Sequence, residues 1–121
     1  MAVTPQDAAT IFDIIIPEHL AQFPDKANEL GGVYQLNIHD DYSQSGGEWT
    51  LDCVSYPPTC LRGTVDHANC TIAINHEDFM NIIRNRDDAM QEYFLGKLRL
   101  FGSDGELARF NDFLNIVRPE S

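Results

Sequence analysis

Apolar residues recur along the chain at two different periods, and the changes from one to the other predict the order of its elements. The sharpest succession lies between Ala89 and Val117. An aromatic helix end, Ala89-Met90-Gln91-Glu92-Tyr93-Phe94, runs through Leu95-Gly96 into Lys97-Leu98-Arg99-Leu100-Phe101. Successive residues of a strand project to opposite faces, so two leucines point one way and two cations the other. Gly102-Ser103-Asp104-Gly105-Glu106 restarts the chain into a final helix, with Ser103 as N-cap and Glu106 at N3. There Leu107, Phe110, Leu114 and Val117 recur at offsets of three, four and three, which gives one apolar face. The preceding strand needs a cover for its leucines, and this helix is expected to supply it.

The rest of the chain follows the same logic. Thr4-Pro5-Gln6-Asp7 predicts a helix start with Thr4 as cap and Pro5 at N1. Ile11, Phe12, Ile15 and Ile16 form its apolar stripe, and Pro17 is expected to interrupt it. A second short helix is expected from Glu18 to near Asn28, with Pro24 at a turn or restart, before Gly31-Gly32 ends the region. Val33 to Ile38 and Glu48 to Val54 alternate as half-buried strands, with Tyr34, Leu36 and Ile38, then Trp49, Leu51 and Cys53, on their inner faces. A polar run from His39 to Gly47 joins them. Leu61, Gly63 and Val65 suggest a third strand, and Cys70, Ile72 and Ile74 a fourth. An antiparallel meander is the economical arrangement. At Asn75 the period lengthens: Asn75 caps a helix starting at His76, with Phe79, Ile82 and Ile83 on its buried side. After Arg84-Asn85-Arg86, Asp87 caps a shorter piece. The order is helix, helix, four strands, helix, helix, strand, helix.

Length allows one domain, residues 1–121, with a single core and room for one internal cavity. Eight basic against nineteen acidic residues give a net charge of −11, which repels nucleic-acid phosphates and anionic head groups. No apolar run is long enough to cross a bilayer, and the N-terminus lacks a signal-peptide layout, so a soluble cytoplasmic protein is the expectation. Cys53, Cys60 and Cys70 are odd in number and lack C-x-x-C spacing, which argues against a disulfide scaffold or a zinc site.

Candidate chemistry is thin. Gly31-Gly32 precedes a strand and Gly102-Ser103-Asp104-Gly105 has no lysine partner, so both read as turns rather than phosphate loops. His19, His39, His67 and His76 show no i, i+4 pair, and His39-Asp40-Asp41 reads as a solvated acidic loop. Nothing supplies the lowered thiol pKa that a nucleophilic cysteine requires. Large apolar side chains are instead abundant: Phe12, Phe23, Tyr34, Trp49, Phe79, Met90, Tyr93, Phe94, Phe101, Phe110 and Phe113 are spread over all helices and most strands. Periodicity leaves two alternatives open, a filled core or a cavity lined by rings and methyls between short helices and a single sheet.

Four segments, in order, resemble the sterol carrier protein type 2 family. They are Gly31-Gly32-Val33-Tyr34-Gln35-Leu36, Gly47-Glu48-Trp49-Thr50-Leu51-Asp52, the run Asp66 to Ile74 leading to His76-Glu77-Asp78-Phe79, and Ala89 to Gly102 followed by Leu107-Ala108-Arg109-Phe110. The resemblance covers nearly the whole chain. It implies an α/β (α+β) fold, a five-stranded, mostly antiparallel sheet covered by helices with an apolar tunnel. By matching segments, Trp49 and Leu51 would lie near its sheet wall. Phe79, Ile82, Ile83, Met90 and Phe94 would form its helical walls, and Leu107, Phe110, Phe113 and Leu114 its closing helix. Two departures from the family pattern put charge near a mouth: Arg84-Asn85-Arg86 and the acidic Ser103-Asp104-Gly105-Glu106. Arg84 and Arg86 would attract the carboxylate of a fatty acid or the phosphate of an acyl-CoA, or else remain a solvated turn. The implied function is non-catalytic binding and transfer of lipids such as fatty acids, fatty acyl-CoA or sterols. An accessory lipid-binding or dimerisation module beside a separate enzyme is the alternative. The expected partner is a hydrophobic small-molecule lipid, with no cofactor, no metal, no nucleic acid and no stable membrane insertion. The chain itself is expected to be a monomer or weak homodimer.

Overall fold

Five strands form one sheet in the order β3-β2-β1-β4-β5: β1 is Val33–His39, β2 Gly47–Asp52, β3 Thr59–Arg62, β4 Cys70–Asn75 and β5 Leu98–Phe101. The computed structural model describes residues 7–39, 46–84 and 89–116, with the side chains of Asp104 and Ile116 left aside. Pairings β1/β2, β2/β3 and β4/β5 are antiparallel, but β1 and β4 run parallel, Leu36 opposite Ile72. The four-strand meander is therefore corrected. Between β3 and β4 the chain crosses the outer face of the sheet and re-enters on the far side of β1. Polar groups on that face hold the crossing: Gln35 Oε1 accepts from Val65 N at 3.0 Å, and Thr50 Oγ1 donates to the Gly63 carbonyl at 3.0 Å. Asn69 is tied to Val33 in both directions, backbone N–H to Val33 O at 2.8 Å and Oδ1 to Val33 N–H at 2.8 Å.

The helices all serve the other face. Helical segments Ala8–Thr10, Ile11–Ile15 and Ile16–Gln22 follow without a break and together form α1. The middle segment is π-helical, with the Ile16 N–H bonded to the Ile11 carbonyl. Pro17 does not interrupt this rod, contrary to expectation. It lacks the N–H that would bond four residues back, and the wider turn directly before it admits its ring. The Thr4 cap lies outside the described residues; Asp7 caps instead, accepting from Thr10 N at 2.7 Å. Pro24 does restart the helix, as α2, Pro24–Leu30. α3 is His76–Arg84, entered from Asn75, whose Oδ1 accepts from Glu77 N at 2.8 Å. α4 is Ala89–Phe94 and α5 Asp104–Phe113, followed by a 3-10 turn Leu114–Ile116. The expected caps divide: Asp87 lies outside the described residues, whereas Ser103 and Glu106 form a reciprocal capping box. β3 is a further correction, since it is centred on Cys60 and Leu61 rather than on Leu61 to Val65. Leu61 faces out, 65% exposed, and Cys60 is buried.

Cross-strand register fixes the inner face. Tyr34, Leu51, Cys60 and Cys70 form one row, Leu36, Trp49, Ile72 and Leu100 the next but one, and Ile38, Ile74 and Leu98 a third. Helices α1, α3 and α5 pack on these rows, so the core is a single layer between sheet and helices. Leu98 is buried and Leu100 partly buried while Lys97 and Arg99 are exposed, as the alternation predicts.

Candidate functional site

The space between the inner sheet face and the helices is built from rings and branched chains. Phe12, on the π-helical turn, stands between Trp49 and Phe79, with ring centroids 5.1 Å and 5.5 Å away. Phe110 of α5 stacks on Tyr34 of β1 at 5.7 Å. Eight expected lining residues are buried there: Trp49, Leu51, Phe79, Ile82, Ile83, Leu107, Phe110 and Leu114. Met90 and Phe113 are partly buried against the same core. Phe94 is not among them. It is 73% exposed, because α4 turns Ala89 and Glu92 inward, three residues apart, and the Phe94 position falls off that face. Arg84 ends α3 on the surface, and Arg86 and Val117 lie outside the described residues.

One polar network enters this apolar layer. Trp49 Nε1 donates to Asp13 Oδ1 at 2.9 Å. Arg62 grips the same carboxylate, Nη2 to Oδ2 at 2.6 Å and Nε to Oδ1 at 3.1 Å, and its guanidinium lies over the Trp49 ring at 4.7 Å. Partial burial would raise the Asp13 pKa, but the hydrogen bonds from Arg62 and Trp49 and the guanidinium charge outweigh it and hold the carboxyl below its usual range. The network thus fastens the π-helical part of α1 to the β2/β3 edge. No local signal announced it, since Asp13 and Arg62 are 49 residues apart and meet only through strand register.

Burial is the main cause that pushes the thiols of Cys53, Cys60 and Cys70 up to about 12, so thiolate is scarce at neutral pH. No group of three or more His, Cys, Asp or Glu is placed to hold a metal among the described residues. Glu92 is buried at 6% exposure, and its Oε2 has no hydrogen-bond partner among the described residues. Sequence reasoning passed over this carboxylate, which the inward positions Ala89 and Glu92 bring to the α4/α5 contact. There the Ala89 N–H donates to Asn111 Oδ1 at 3.1 Å.

Among the clefts lined by described residues, two are well defined, and neither of these is the enclosed apolar tunnel that the resemblance implies. One, of about 510 Å³, lies where β4 meets α3 and β5 and is bordered by His39, Asn75, Asp78, Lys97 and Arg99. The other, of about 240 Å³, lies between β3 and the crossing segment on the outer face. No helix among the described residues is long and apolar enough to cross a membrane.

Known proteins share this arrangement. Human sterol carrier protein 2 is 23% identical over 77 residues, 64% of this chain but only 14% of that protein. The solution structure of the sterol carrier protein domain 2 of Helicoverpa armigera superposes with a TM-score of 0.68 at 18% identity, covering 100% of this chain and 98% of that one. Sterol carrier protein 2 of Aedes aegypti, solved in complex with the C16 fatty acid palmitate, gives a TM-score of 0.69 at 14% identity, covering 98% and 100%. Residues 16–115 match the model of the SCP-2 sterol transfer family, and the chain belongs to that family.

Proposed function

We propose that this chain binds a lipid between the inner sheet face and α3 to α5 and transfers it, without covalent chemistry. One observation carries the reading: a largely apolar sheet face is covered, beside α1, by separate helical pieces of nine, six and ten residues. Separate short pieces move apart at lower cost than a continuous rod, so a layer packed in one state opens into a cavity in another. The lining then consists of Ile82, Ile83, Leu107, Phe110 and Leu114 facing Leu51 and Trp49. Each buried methylene of an acyl chain contributes roughly 0.8 kcal/mol. Sixteen-carbon chains therefore offset the several kcal/mol lost in ordering and association. Fatty acids, fatty acyl-CoA and sterols are the ligand classes of suitable shape. Support comes from the family and from a structural relative solved with palmitate.

Arg84 and Arg86 are proposed to read an acidic head group. Palmitate and hexadecanol binding to wild type and to the Arg84→Gln/Arg86→Gln variant tests this, with selective loss of the acid expected and equal losses for both ligands refuting it. The reading as a whole is tested by native mass spectrometry of detergent-free protein, followed by organic extraction. Recovered lipid supports it; repeated absence of lipid, with no uptake of fluorescent fatty acid or sterol, overturns it. A second reading, an accessory module beside an enzyme, draws on the short span matched in much longer relatives. It predicts that lipid binding persists while transfer between vesicles is no faster than spontaneous exchange.

A further inference from the structure

Three large apolar side chains that the core does not use lie along one border of the molecule. Phe94 and Leu95, at the end of α4 and in the turn after it, are 73% and 60% exposed, and Phe101, at the end of β5, is 67% exposed. β5 is an edge strand, bonded among the described residues to β4 alone. Lys97, Arg99 and Phe101 stand two residues apart and share the outer face, while Leu98 and Leu100 turn inward. In chain order the exposed side chains of this stretch run apolar, basic, basic, apolar. Lys97 and Arg99 also border the 510 Å³ cleft beside the start of α3, where Asp78 is the one acidic lining residue. Neither cation has an ion-pair partner among the described residues. In a chain of net charge −11 with eight basic residues, two such cations between exposed apolar groups form a local exception to the overall charge.

We propose that this border is a peripheral docking surface for an anionic lipid bilayer. Phe94, Leu95 and Phe101 enter the boundary between head groups and acyl chains, and Lys97 and Arg99 meet lipid phosphates, for which the cleft leaves room. The net negative charge does not forbid this. At physiological ionic strength charges are screened over about 8 Å, so acidic residues elsewhere on the surface act weakly on a membrane that touches only this border. Docking gives the proposed carrier a site of loading next to α4 and α5; the purpose rests on the carrier reading, but the contact itself does not.

The test is cosedimentation of the full chain with vesicles of phosphatidylcholine alone, or with about a third phosphatidylserine, at physiological salt. Wild type is expected to partition onto the anionic vesicles and less onto the neutral ones. Lys97→Gln/Arg99→Gln is expected to lower that partition about 25-fold, roughly five-fold per cation. Leu95→Ser/Phe101→Ser is expected to lower it on both vesicle types, and Leu61→Ser, on the opposite edge of the sheet, to leave it unchanged. Equilibrium binding of a fluorescent fatty acid, unchanged in every variant, shows that they fold and that cargo binding is separate. Vesicle binding that survives while wild type takes up no fatty acid removes the carrier reading and keeps the docking surface. Equal partition of wild type and variants overturns the proposal. So does a stable dimer that Phe101→Ser dissociates, because the border would then pair with a second copy.

Discussion

Replacing Asp13 separates a part-buried hydrogen bond from an exposed ion pair, and the two have different sizes. Trp49 is 0% exposed and its Nε1 gives its proton to Asp13 at 2.9 Å. In Asp13→Ala that N–H is left without an acceptor inside the core, which costs about 1–3 kcal/mol. The ion pair with Arg62 is more exposed, the side chains being 54% and 38% accessible, so its loss adds only about 0–1 kcal/mol. Asp13→Asn keeps the amide oxygen for Trp49 and removes only the charge, and less than about 1 kcal/mol is expected. For a domain of this length 1 kcal/mol is worth about 4 °C. Asp13→Ala should therefore lower Tm by roughly 4–16 °C and Asp13→Asn by no more than about 4 °C. The chain holds one tryptophan, so urea melts followed by fluorescence watch the affected ring itself. Sign also matters. Asp13 has its pKa lowered in the fold, so the advantage of wild type over Asp13→Asn is full above about pH 4 and vanishes as pH falls through the lower folded-state value. An Asn variant as unstable as the Ala variant would refute the reasoning, since charge and not the Trp49 hydrogen bond would then dominate.

Two further outcomes follow from the core. Phe110→Ala should cost about 3–5 kcal/mol in denaturant melts, because Phe110 is 3% exposed and stacks on Tyr34, and less where a cavity already borders it; Phe110→Asp should cost more, by placing an unpaired carboxylate in that setting. With pKa values pushed up to about 12, Cys53, Cys60 and Cys70 should resist iodoacetamide at pH 8 in the native state and react in urea, read by intact mass.

Local period was enough to read β1, β4, β5 and α5, because burial on one side imposes alternation on a strand and a three-to-four repeat on a helix. The capping box of Ser103 and Glu106 is equally local. What escaped was set at a distance. The parallel pairing of β1 with β4 depends on a crossing held by Gln35, Thr50 and Asn69, polar residues whose partners no spacing identifies. The alternation of Leu61, Gly63 and Val65 suggested a strand, but the chain leaves the sheet at Arg62 so that Arg62 reaches Asp13 and Trp49. Within the candidate site, Ile82, Ile83, Leu107 and Phe110 were identified by their faces. Phe94 was assigned to the same wall and is exposed instead, because in a helix of six residues the α5 contact, with Ala89 bonded to Asn111, decides the rotation rather than apolar content. Pro17 shows the converse, a residue whose local rule was overridden by a π-helical turn.

The central claim is that lipid occupies the layer between the inner sheet face and α3 to α5. Methyl-labelled protein titrated with palmitate tests it most directly, through nuclear Overhauser contacts between the acyl chain and the protein. The account predicts contacts to the buried methyls of Ile82, Ile83, Leu107 and Leu114, with slow exchange between free and loaded forms. Contacts confined to the exposed methyls of Val54 and Leu61, or spectra that palmitate leaves unchanged, would contradict it.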